Sequence, residues 1–326
     1  MEEVVLSPAH AARGVRRAVI DVGTNSVKML LGEVRGPAVL PLVERSHQTR
    51  LGAGLFETGR LQPDAIARTA GAVQELRAEA EHYGPERIRL IATAAAREAA
   101  NQDELLEALR QSSGLDTEVI TGETEAALAF RGVCTDPRWA DRPLLVTDLG
   151  GGSTEFIVGK AGVRHFSRSF PLGVVRLFEH IKPSPQPTRN ELERSRSLVQ
   201  AQLRNEILPW VEPAVASVRE GGASLVYVAV GGTAVILARI ARALETFDRH
   251  RIEAEPISVS SLRQITERLW SLSLAQRREV VGLPPERADI LPGGAVIYEG
   301  ILGTLHLPAL QPCTRGLRYA ALLDPL

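Results

Sequence analysis

Two stretches of the chain carry the same pattern of apolar and polar positions. Residues 18–32 and 145–159 each show an apolar run, a glycine-rich turn and a second apolar run, which is the pattern of a β-hairpin. They align without gaps at a constant offset of 127 residues, and the identical acid, glycine and serine positions are Asp21 and Asp148, Gly23 and Gly150, Ser26 and Ser153, and Gly32 and Gly159. These four identities in register favour an internal duplication over two unrelated hairpins.

Helical and extended patterns alternate along the rest of the chain. Apolar residues recur at helical spacing after Pro63 and predict a long helix there. Thr188 and Glu191 have the spacing of a capping box, which predicts a helix start. Further strands are predicted at 89–93, 118–121, 166–172 and 225–230, and further helices at 95–101, 103–112, 123–132 and from 293 onward. This alternation predicts an α/β fold, which the duplication divides into two lobes, residues 1–133 and 134–326.

Composition places the chain among globular proteins. It has 326 residues, 44% of them hydrophobic and 24% charged, which is enough for two domains that each bury a core. No run of about 18 apolar residues occurs, so we expect no membrane span, and the N-terminus lacks the features of a secretory signal. A formal net charge of −1 argues against a nucleic acid polymer as partner. Two distant cysteines, Cys134 and Cys313, indicate neither a disulfide framework nor a zinc site. We therefore expect the protein to be located in a reducing cytoplasm.

The two glycine-rich turns have residue types that suit phosphate and a metal ion. Glycines let the backbone approach an anion and expose N–H groups to it. The predicted phosphate-binding residues are Gly23, Thr24, Asn25 and Ser26 in the first turn, and Gly150, Gly151, Gly152 and Ser153 in the second. Neighbouring carboxylates can hold Mg²⁺ or Mn²⁺, because hard cations prefer oxygen ligands. Asp148, Glu155 and Asp21 are therefore the predicted metal ligands, with the alternative that Glu155 lies on a solvated strand face.

A series of motifs runs through the chain from about Val19 to Leu323. In order, they are IDVGTNS at 20–26, TAAAREAAN at 93–101, VITGETEA at 119–126, TDLGGGSTE at 147–155, SFPLGVVR at 169–176, VGGT at 230–233, RAD at 287–289 with the glycines at 293–294, and RGLR at 315–318. Together they are highly specific, and they resemble the signatures of the exopolyphosphatase/guanosine pentaphosphate phosphohydrolase (Ppx/GppA) family. The resemblance implies two actin-like, ribonuclease H-like lobes of the sugar kinase, heat-shock chaperone and actin superfamily, with an active site in the cleft between them.

The resemblance also implies two catalytic residues. Glu125 matches the family's water-activating base, and Arg97 matches an arginine that contacts phosphate. Glu123 and Glu125 are two positions apart on a predicted helix, so only one of them can face a cleft. The alternatives are that Glu125 serves only the helix dipole, and that Arg97 forms an ordinary ion pair on the helix surface.

Further phosphate contacts follow from the same resemblance. They are Gly231, Gly232, Thr233 and Arg287, with Arg315 as a weaker candidate. The three residues of the Gly-Gly-Thr turn could instead be needed only for packing. Lys28 could contact phosphate or be a solvated lysine on its strand.

The activity that the resemblance implies is hydrolysis of the terminal phosphoanhydride of inorganic polyphosphate, with Mg²⁺ or Mn²⁺ as cofactor. Longer relatives carry an added helical domain, and we expect this chain to be a short form without it. The alternatives are a guanosine pentaphosphate phosphohydrolase, a module that binds guanosine tetraphosphate with little hydrolysis, and a sugar or acid kinase. We expect a homodimer, in which two short forms could build a longer channel.

Overall fold

Two β-sheets form the framework of the structure, a computed structural model that describes residues 14–139, 141–219 and 224–324. The strands are β1 (Val15–Val22), β2 (Val27–Arg35), β3 (Ala38–His47), β4 (Arg87–Ala92), β5 (Thr117–Val119), β6 (Leu144–Leu149), β7 (Thr154–Lys160), β8 (Val163–Phe170), β9 (Val226–Val230), β10 (Ile257–Ser258) and β11 (Ala309–Pro312). The first sheet has the order β3-β2-β1-β4-β5, and the second has the order β10-β11-β9-β6-β7-β8. Read from β8, the second sheet repeats the order of the first and adds β10, as a duplicated lobe requires.

The two predicted hairpins are built alike. In both, the strands pair antiparallel, and the first strand also pairs parallel with a later strand, β4 in one lobe and β9 in the other. The N–H of Gly23 donates to the carbonyl of Ser26 at 3.1 Å, and the N–H of Gly150 donates to the carbonyl of Ser153 at 2.9 Å. The same hydrogen bond at equivalent positions supports the duplication.

Helices cover both faces of the first sheet. The α-helices of the described residues are α1 (Leu55–Thr58), α2 (Pro63–Glu81), α3 (Ala94–Glu98), α4 (Gln102–Ser113), α5 (Gly122–Cys134), α6 (Val174–Ile181), α7 (Arg189–Gln202), α8 (Leu208–Val218), α9 (Gly231–Ala241), α10 (Arg249–Glu253), α11 (Val259–Ser271), α12 (Leu274–Arg278), α13 (Leu291–Thr304) and α14 (Leu317–Leu323). Apolar residues of α2 and α4 pack on one face, and those of α5 and α14 pack on the other. None of these helices is long and apolar enough to cross a bilayer.

Local sequence signals account for the helix starts. Helix α2 has Pro63 at its first position, where the missing N–H costs nothing, and its predicted apolar residues are buried. At the start of α7 the predicted capping box is present: Oγ1 of Thr188 accepts from the N–H of Glu191 at 3.3 Å, and Oε2 of Glu191 accepts from the N–H of Thr188 at 2.6 Å. These contacts satisfy N–H groups that have no partner within the helix.

Several element boundaries differ by one to three residues from those predicted. Strand β8 covers Val163–Phe170 instead of 166–172, because Pro171 has no N–H to donate to a neighbouring strand. Helix α13 begins at Leu291, so that the two glycines at 293–294 lie within its first turn. The segment between β3 and α2 contains the one-turn helix α1.

The last helix returns to the first lobe. Leu317, Ala320 and Leu322 of α14 pack with Val19 and Leu30 of the first sheet. The C-terminal end of the chain therefore completes the core of the N-terminal lobe. The division at residues 133 and 134 stays a prediction, and the N-terminal residues that bear on a secretory signal lie outside the described residues.

The contact between α5 and the segment before α14 leaves no room for a side chain at Gly132. A Cβ there would lie 2.1 Å from the carbonyl oxygen of Gly316, which is backbone and cannot rotate away. We expect Gly132→Ala to lower the free energy of unfolding by about 1–3 kcal/mol. Gly71, in the middle of α2, has no atom within 4 Å of the equivalent position. As the matched control, Gly71→Ala should raise the free energy of unfolding by about 0.5–1 kcal/mol. Urea unfolding measures both, and an unchanged midpoint for Gly132→Ala would contradict the packing described.

Candidate active site

A cleft between the two lobes collects most of the predicted functional residues around a cavity of about 440 Å³. The predicted residues that line it are Asp21, Gly23, Thr24, Asn25, Ser26, Glu125, Asp148, Gly150, Gly151, Gly152, Ser153, Gly231, Gly232, Thr233 and Arg287. Arg97 and Glu155 do not line the cavity. Each lies behind a lining residue, because Arg97 contacts Glu125 and Glu155 contacts Ser153.

The two hairpins differ in charge at one equivalent position. In the first hairpin Asp21 lies opposite Lys28, and in the second Asp148 lies opposite Glu155. Lys28 and Glu155 are related by the same offset of 127 residues as the aspartates. Because Lys28 lines the cavity, it is not the solvated strand lysine that the sequence left open. The duplicated turns thus present an acid–base pair on one side and two acids on the other.

The paired aspartates lie in a desolvated setting. Burial raises the pKa of Asp21 and of Asp148, while the neighbouring cations Lys28 and Arg318 lower both pKa values. Oδ1 of Asp21 is buried and has no hydrogen-bond partner among the described residues. A buried carboxylate oxygen without a partner favours a bound cation or a proton beside it.

Glu155 is held in place by two hydroxyl groups. Ser153 donates to its Oε1 at 2.9 Å, and Ser169 donates to the same oxygen at 2.7 Å. The residue is 1% exposed, so the alternative of a solvated strand face is wrong. The pKa of Glu155 is raised to about 7, because burial and the charge of Asp148 raise it by more than the two serine hydroxyls and Arg97 lower it.

Glu125 enters the cleft from the first turn of α5. Thr121 caps this helix, since its hydroxyl accepts from the N–H of Thr124 at 3.1 Å. Glu125 is 9% exposed, whereas Glu123 is on the outside and pairs with Arg164 at 3.6 Å. Only one of the two acidic residues faces the cleft, as their spacing requires.

Arg97 holds Glu125 from behind. Its Nη1 donates to the carbonyl of Ile120 at 2.8 Å and to Oε2 of Glu125 at 3.1 Å. Among the described residues Arg97 pairs with the buried carboxylate of Glu125 and not with a residue on the helix surface, and the neighbouring Glu98 pairs with Arg176 at 2.6 Å. Arg97 therefore contacts the candidate base, and its predicted contact with phosphate stays a prediction.

The pKa of Glu125 is raised well above its ordinary value. Burial is the largest cause, and the negative charges of Glu155, Asp148 and Asp21 add to it, while the guanidinium of Arg97 lowers the pKa. A carboxylate with a raised pKa is a stronger base when ionised, which is the property that proton abstraction from water requires.

The predicted Gly-Gly-Thr turn forms the N-terminus of α9, whose N–H groups favour an anion. Gly231 has a φ of +89°, and a Cβ there would lie 2.5 Å from Oδ1 of Asp148. Gly232 leaves room for Arg287, whose Nη2 donates to Oγ of Ser26 at 3.4 Å. The turn therefore lies at the cleft, and its predicted contact with phosphate stays a prediction.

The two arginines of the RGLR motif at 315–318 lie in different environments. Arg315 donates to the carbonyl of Thr135 at 2.9 Å and is not among the residues that line the cavity. Arg318 lines it, and donates to the carbonyl of Met29 at 3.0 Å. The sequence singled out Arg315 as an anion contact, and no local signal distinguishes it from Arg318, because the choice depends on how α14 packs against the first lobe.

The carboxylates of the cleft suit a hard divalent cation that is shared with a substrate. Among the described residues, no group of three or more His, Cys, Asp or Glu side chains is arranged to hold a metal by itself. Glu155 is turned toward its two serines, which leaves Asp21 and Asp148 nearest the cavity. Mg²⁺ in phosphate-transfer sites is commonly held by one or two carboxylates together with substrate oxygens. The unpartnered Oδ1 of Asp21 fits that pattern.

Two actin-like lobes that close on paired glycine-rich turns define a phosphate-handling enzyme. The model of the Ppx/GppA phosphatase family matches residues 32–326, and the chain belongs to this family. It is therefore a hydrolase that acts on phosphoanhydride bonds, which sets the kinase alternative aside.

Relatives match over most of their length. Exopolyphosphatase 2 of Mycobacterium tuberculosis is 35% identical over 302 residues, which cover 89% of this chain and 91% of that protein. Exopolyphosphatase 1 of the same organism is 27% identical over 313 residues, covering 96% and 88%. The crystal structure of the Aquifex aeolicus member of the Ppx/GppA family has a TM-score of 0.74 at 27% identity, and the match covers 95% of this chain and 96% of that one.

Proposed function

We propose that the chain is an exopolyphosphatase, which hydrolyses the terminal phosphoanhydride of inorganic polyphosphate and releases orthophosphate. The observation that carries the proposal is the position of Glu125. This buried carboxylate, with a raised pKa, lines the same cavity as both glycine-rich turns. The names of the two mycobacterial relatives agree with this substrate.

The residues of the cleft can divide the reaction among them. Glu125 takes a proton from a water molecule, whose oxygen forms a bond with the terminal phosphorus while the bond from that phosphorus to the bridging oxygen breaks. The shortened chain leaves with the bridging oxygen. Charge that develops on the phosphate oxygens is stabilised by the N–H groups of the turns and by Lys28, Arg287 and Arg318, which line the cavity.

Mg²⁺ or Mn²⁺ is the proposed cofactor, and Asp148, Asp21 and Glu155 are the proposed residues that hold it. The cation would neutralise phosphate charge and orient the terminal group for attack. The orphaned Oδ1 of Asp21 supports this assignment, as does the raised pKa of all three carboxyl groups, since a cation offsets the unfavourable burial of charge.

A second candidate substrate is guanosine pentaphosphate. Beyond the N-terminus of α9 the cavity wall becomes apolar, and it includes Val235, Ile236, Phe247 and Pro284. Phe247 is 48% exposed, and the guanidinium of Arg249 lies over its ring at 5.7 Å, so the exposed part of the ring could stack on a base. Linear polyphosphate has no use for an apolar wall, whereas a purine nucleoside does. A module that binds guanosine tetraphosphate without hydrolysis would use the same wall.

The deciding assay is phosphate release from inorganic polyphosphate and from guanosine pentaphosphate, with and without EDTA. We expect release from polyphosphate to exceed release from the nucleotide and to stop when metal is removed completely. Equal rates after metal removal would contradict the proposed cofactor. Tight binding of guanosine tetraphosphate by calorimetry, without release from either substrate, would favour the binding module instead.

Two further expectations belong to this proposal, namely a cytoplasmic location and a homodimer. Sedimentation of a concentration series tests the second. A monomer at every concentration would remove the idea that two short forms join their clefts.

A further inference from the structure

The loop that follows β3 is fastened to the first glycine-rich turn. The N–H of Arg50 donates to the carbonyl of Asn25 at 3.0 Å, and the N–H of Gly52 donates to the carbonyl of Thr24 at 2.7 Å. Both acceptors belong to residues that line the cavity. These two hydrogen bonds therefore join the loop to backbone that lines the cavity.

Arg50 extends from this loop to the other lobe. Its Nη1 forms an ion pair with Oδ2 of Asp289 at 2.5 Å, and its Nη2 donates to the carbonyl of Glu286 at 3.0 Å. The backbone of Arg50 has a φ of +53°, in the left-handed region that side chains other than glycine rarely adopt. Such a conformation persists only where surrounding contacts enforce it.

The two contacts of Arg50 lie on either side of Arg287, which follows Glu286 and precedes Asp289. Arg287 is 7% exposed, its Nε has no hydrogen-bond partner among the described residues, and its Nη2 donates to Oγ of Ser26 at 3.4 Å. Few hydrogen bonds therefore fix the Arg287 guanidinium. The orientation of this guanidinium therefore depends on the segment at 286–289 that Arg50 contacts.

We propose that Arg50 is a positioning residue that aims Arg287 at the phosphate chain and joins this segment to the first glycine-rich turn. The proposal depends on the proposed function, because it assigns Arg287 to a polyphosphate substrate. Arg287 lines the cavity and Arg50 does not, so Arg50 acts through Arg287. A guanidinium suits this task, since two donors can hold a carboxylate and a carbonyl in one fixed geometry.

A double-mutant cycle separates action through Arg287 from direct contact with the substrate. The variants are Arg50→Asn, Arg287→Ala and the pair together, because asparagine tolerates the left-handed backbone at position 50. Calorimetry with inorganic tripolyphosphate in EDTA measures affinity whether or not the chain hydrolyses it. We expect Arg50→Asn to weaken binding about tenfold, and to have no further effect when Arg287 is already alanine.

Kinetics of phosphate release add a second measure. Arg50→Asn should raise KM about tenfold and change kcat less than about twofold, because Glu125 and its partner are untouched. Arg50→Lys keeps the ion pair with Asp289 but loses the hydrogen bond to the Glu286 carbonyl. The KM of this variant should therefore lie between those of wild type and Arg50→Asn. A wild type that binds tripolyphosphate but releases no phosphate would overturn the proposed function and leave the binding cycle decisive for Arg50.

Two controls distinguish positioning from net charge. Asp289→Asn keeps the acceptor for the N–H of Ile290 and adds one positive charge to the region. If net charge attracts the substrate, Asp289→Asn should bind tripolyphosphate more tightly. If the ion pair between Arg50 and Asp289 positions Arg287, the same variant should bind it more weakly. Lys182→Ala removes a cation that ties the same loop to the second lobe through Glu57, and it should leave affinity unchanged.

Three results would overturn the inference. The first is an equal loss from Arg50→Asn in the wild-type and Arg287→Ala backgrounds. The second is tighter binding by Asp289→Asn. The third is a loss from Lys182→Ala as large as that from Arg50→Asn, since this would make docking of the whole loop the cause. The Asp289→Asn result stands even if Arg50→Asn does not fold.

Discussion

Glu125→Gln is expected to lower kcat about 10³-fold and to leave the fold intact. The amide has the size of the carboxylate and keeps an oxygen to accept from Arg97, whose Nη1 lies 3.1 Å from Oε2 of Glu125. It cannot take a proton from water. Because burial already disfavours the charge of Glu125, a neutral side chain at this position should not reduce stability. Phosphate release measures the first effect, and a thermal unfolding midpoint measures the second.

Glu123→Gln is the matched control for that variant. Glu123 lies on the same helix turn, is exposed, and pairs with Arg164 at 3.6 Å. Its activity should stay within about twofold of wild type, since an exposed ion pair contributes little. If Glu125→Gln turned over polyphosphate at a similar rate to this control, Glu125 would not be the base.

The fold could be predicted from the sequence where the signals are local. The hairpins at Asp21 and Asp148 follow from an apolar–glycine–apolar pattern, and their turns share one hydrogen bond because both copies keep the same glycine. Pro63 and the Thr188 capping box mark helix starts through contacts within one turn of the chain. Such signals need no knowledge of distant residues.

The site could be predicted only in part, because the side chains that interact in it are far apart in the sequence. Arg97 and Glu125 are 28 residues apart, and nothing near either residue shows that they form an ion pair. Arg318 reaches the cleft because α14 packs against the first sheet, which no local pattern indicates. Lys28 is an exception. The offset that pairs the two aspartates also pairs Lys28 with Glu155, so the repeat itself contained the signal.

The asymmetry of the duplicated turns bears on where the metal and the phosphate lie. Glu155 and Asp148 bring two negative charges to the second turn, whereas Lys28 brings a positive charge to the first. We therefore expect the cation nearer the second turn, and the phosphate chain to extend along Lys28. Since burial lowers the pKa of Lys28 while Asp21 raises it, an anionic substrate beside Lys28 would further favour its charged form.

Arg97→Ala is expected to lower kcat/KM at neutral pH about 10²-fold. The positive charge of Arg97 lowers the pKa of Glu125, against the rise caused by burial. Glu125 must be ionised to act as a base, so kcat/KM rises as pH rises through the pKa of this group. Without Arg97 that pKa is higher, a smaller fraction of Glu125 is ionised at a given pH, and the acid limb of the profile moves to higher pH.

A pH profile of kcat/KM distinguishes this effect from loss of a phosphate contact. Arg97→Lys keeps the charge but cannot hold the Ile120 carbonyl and Glu125 in one fixed geometry, as Nη1 does at 2.8 and 3.1 Å. Its acid limb should therefore stay near that of wild type, at a lower plateau. For Arg97→Ala, part of the loss should be recovered at high pH, where Glu125 is ionised again. An unshifted limb with a uniform loss at every pH would show that Arg97 acts on the substrate phosphate, and that the ion pair with Glu125 does not tune the base.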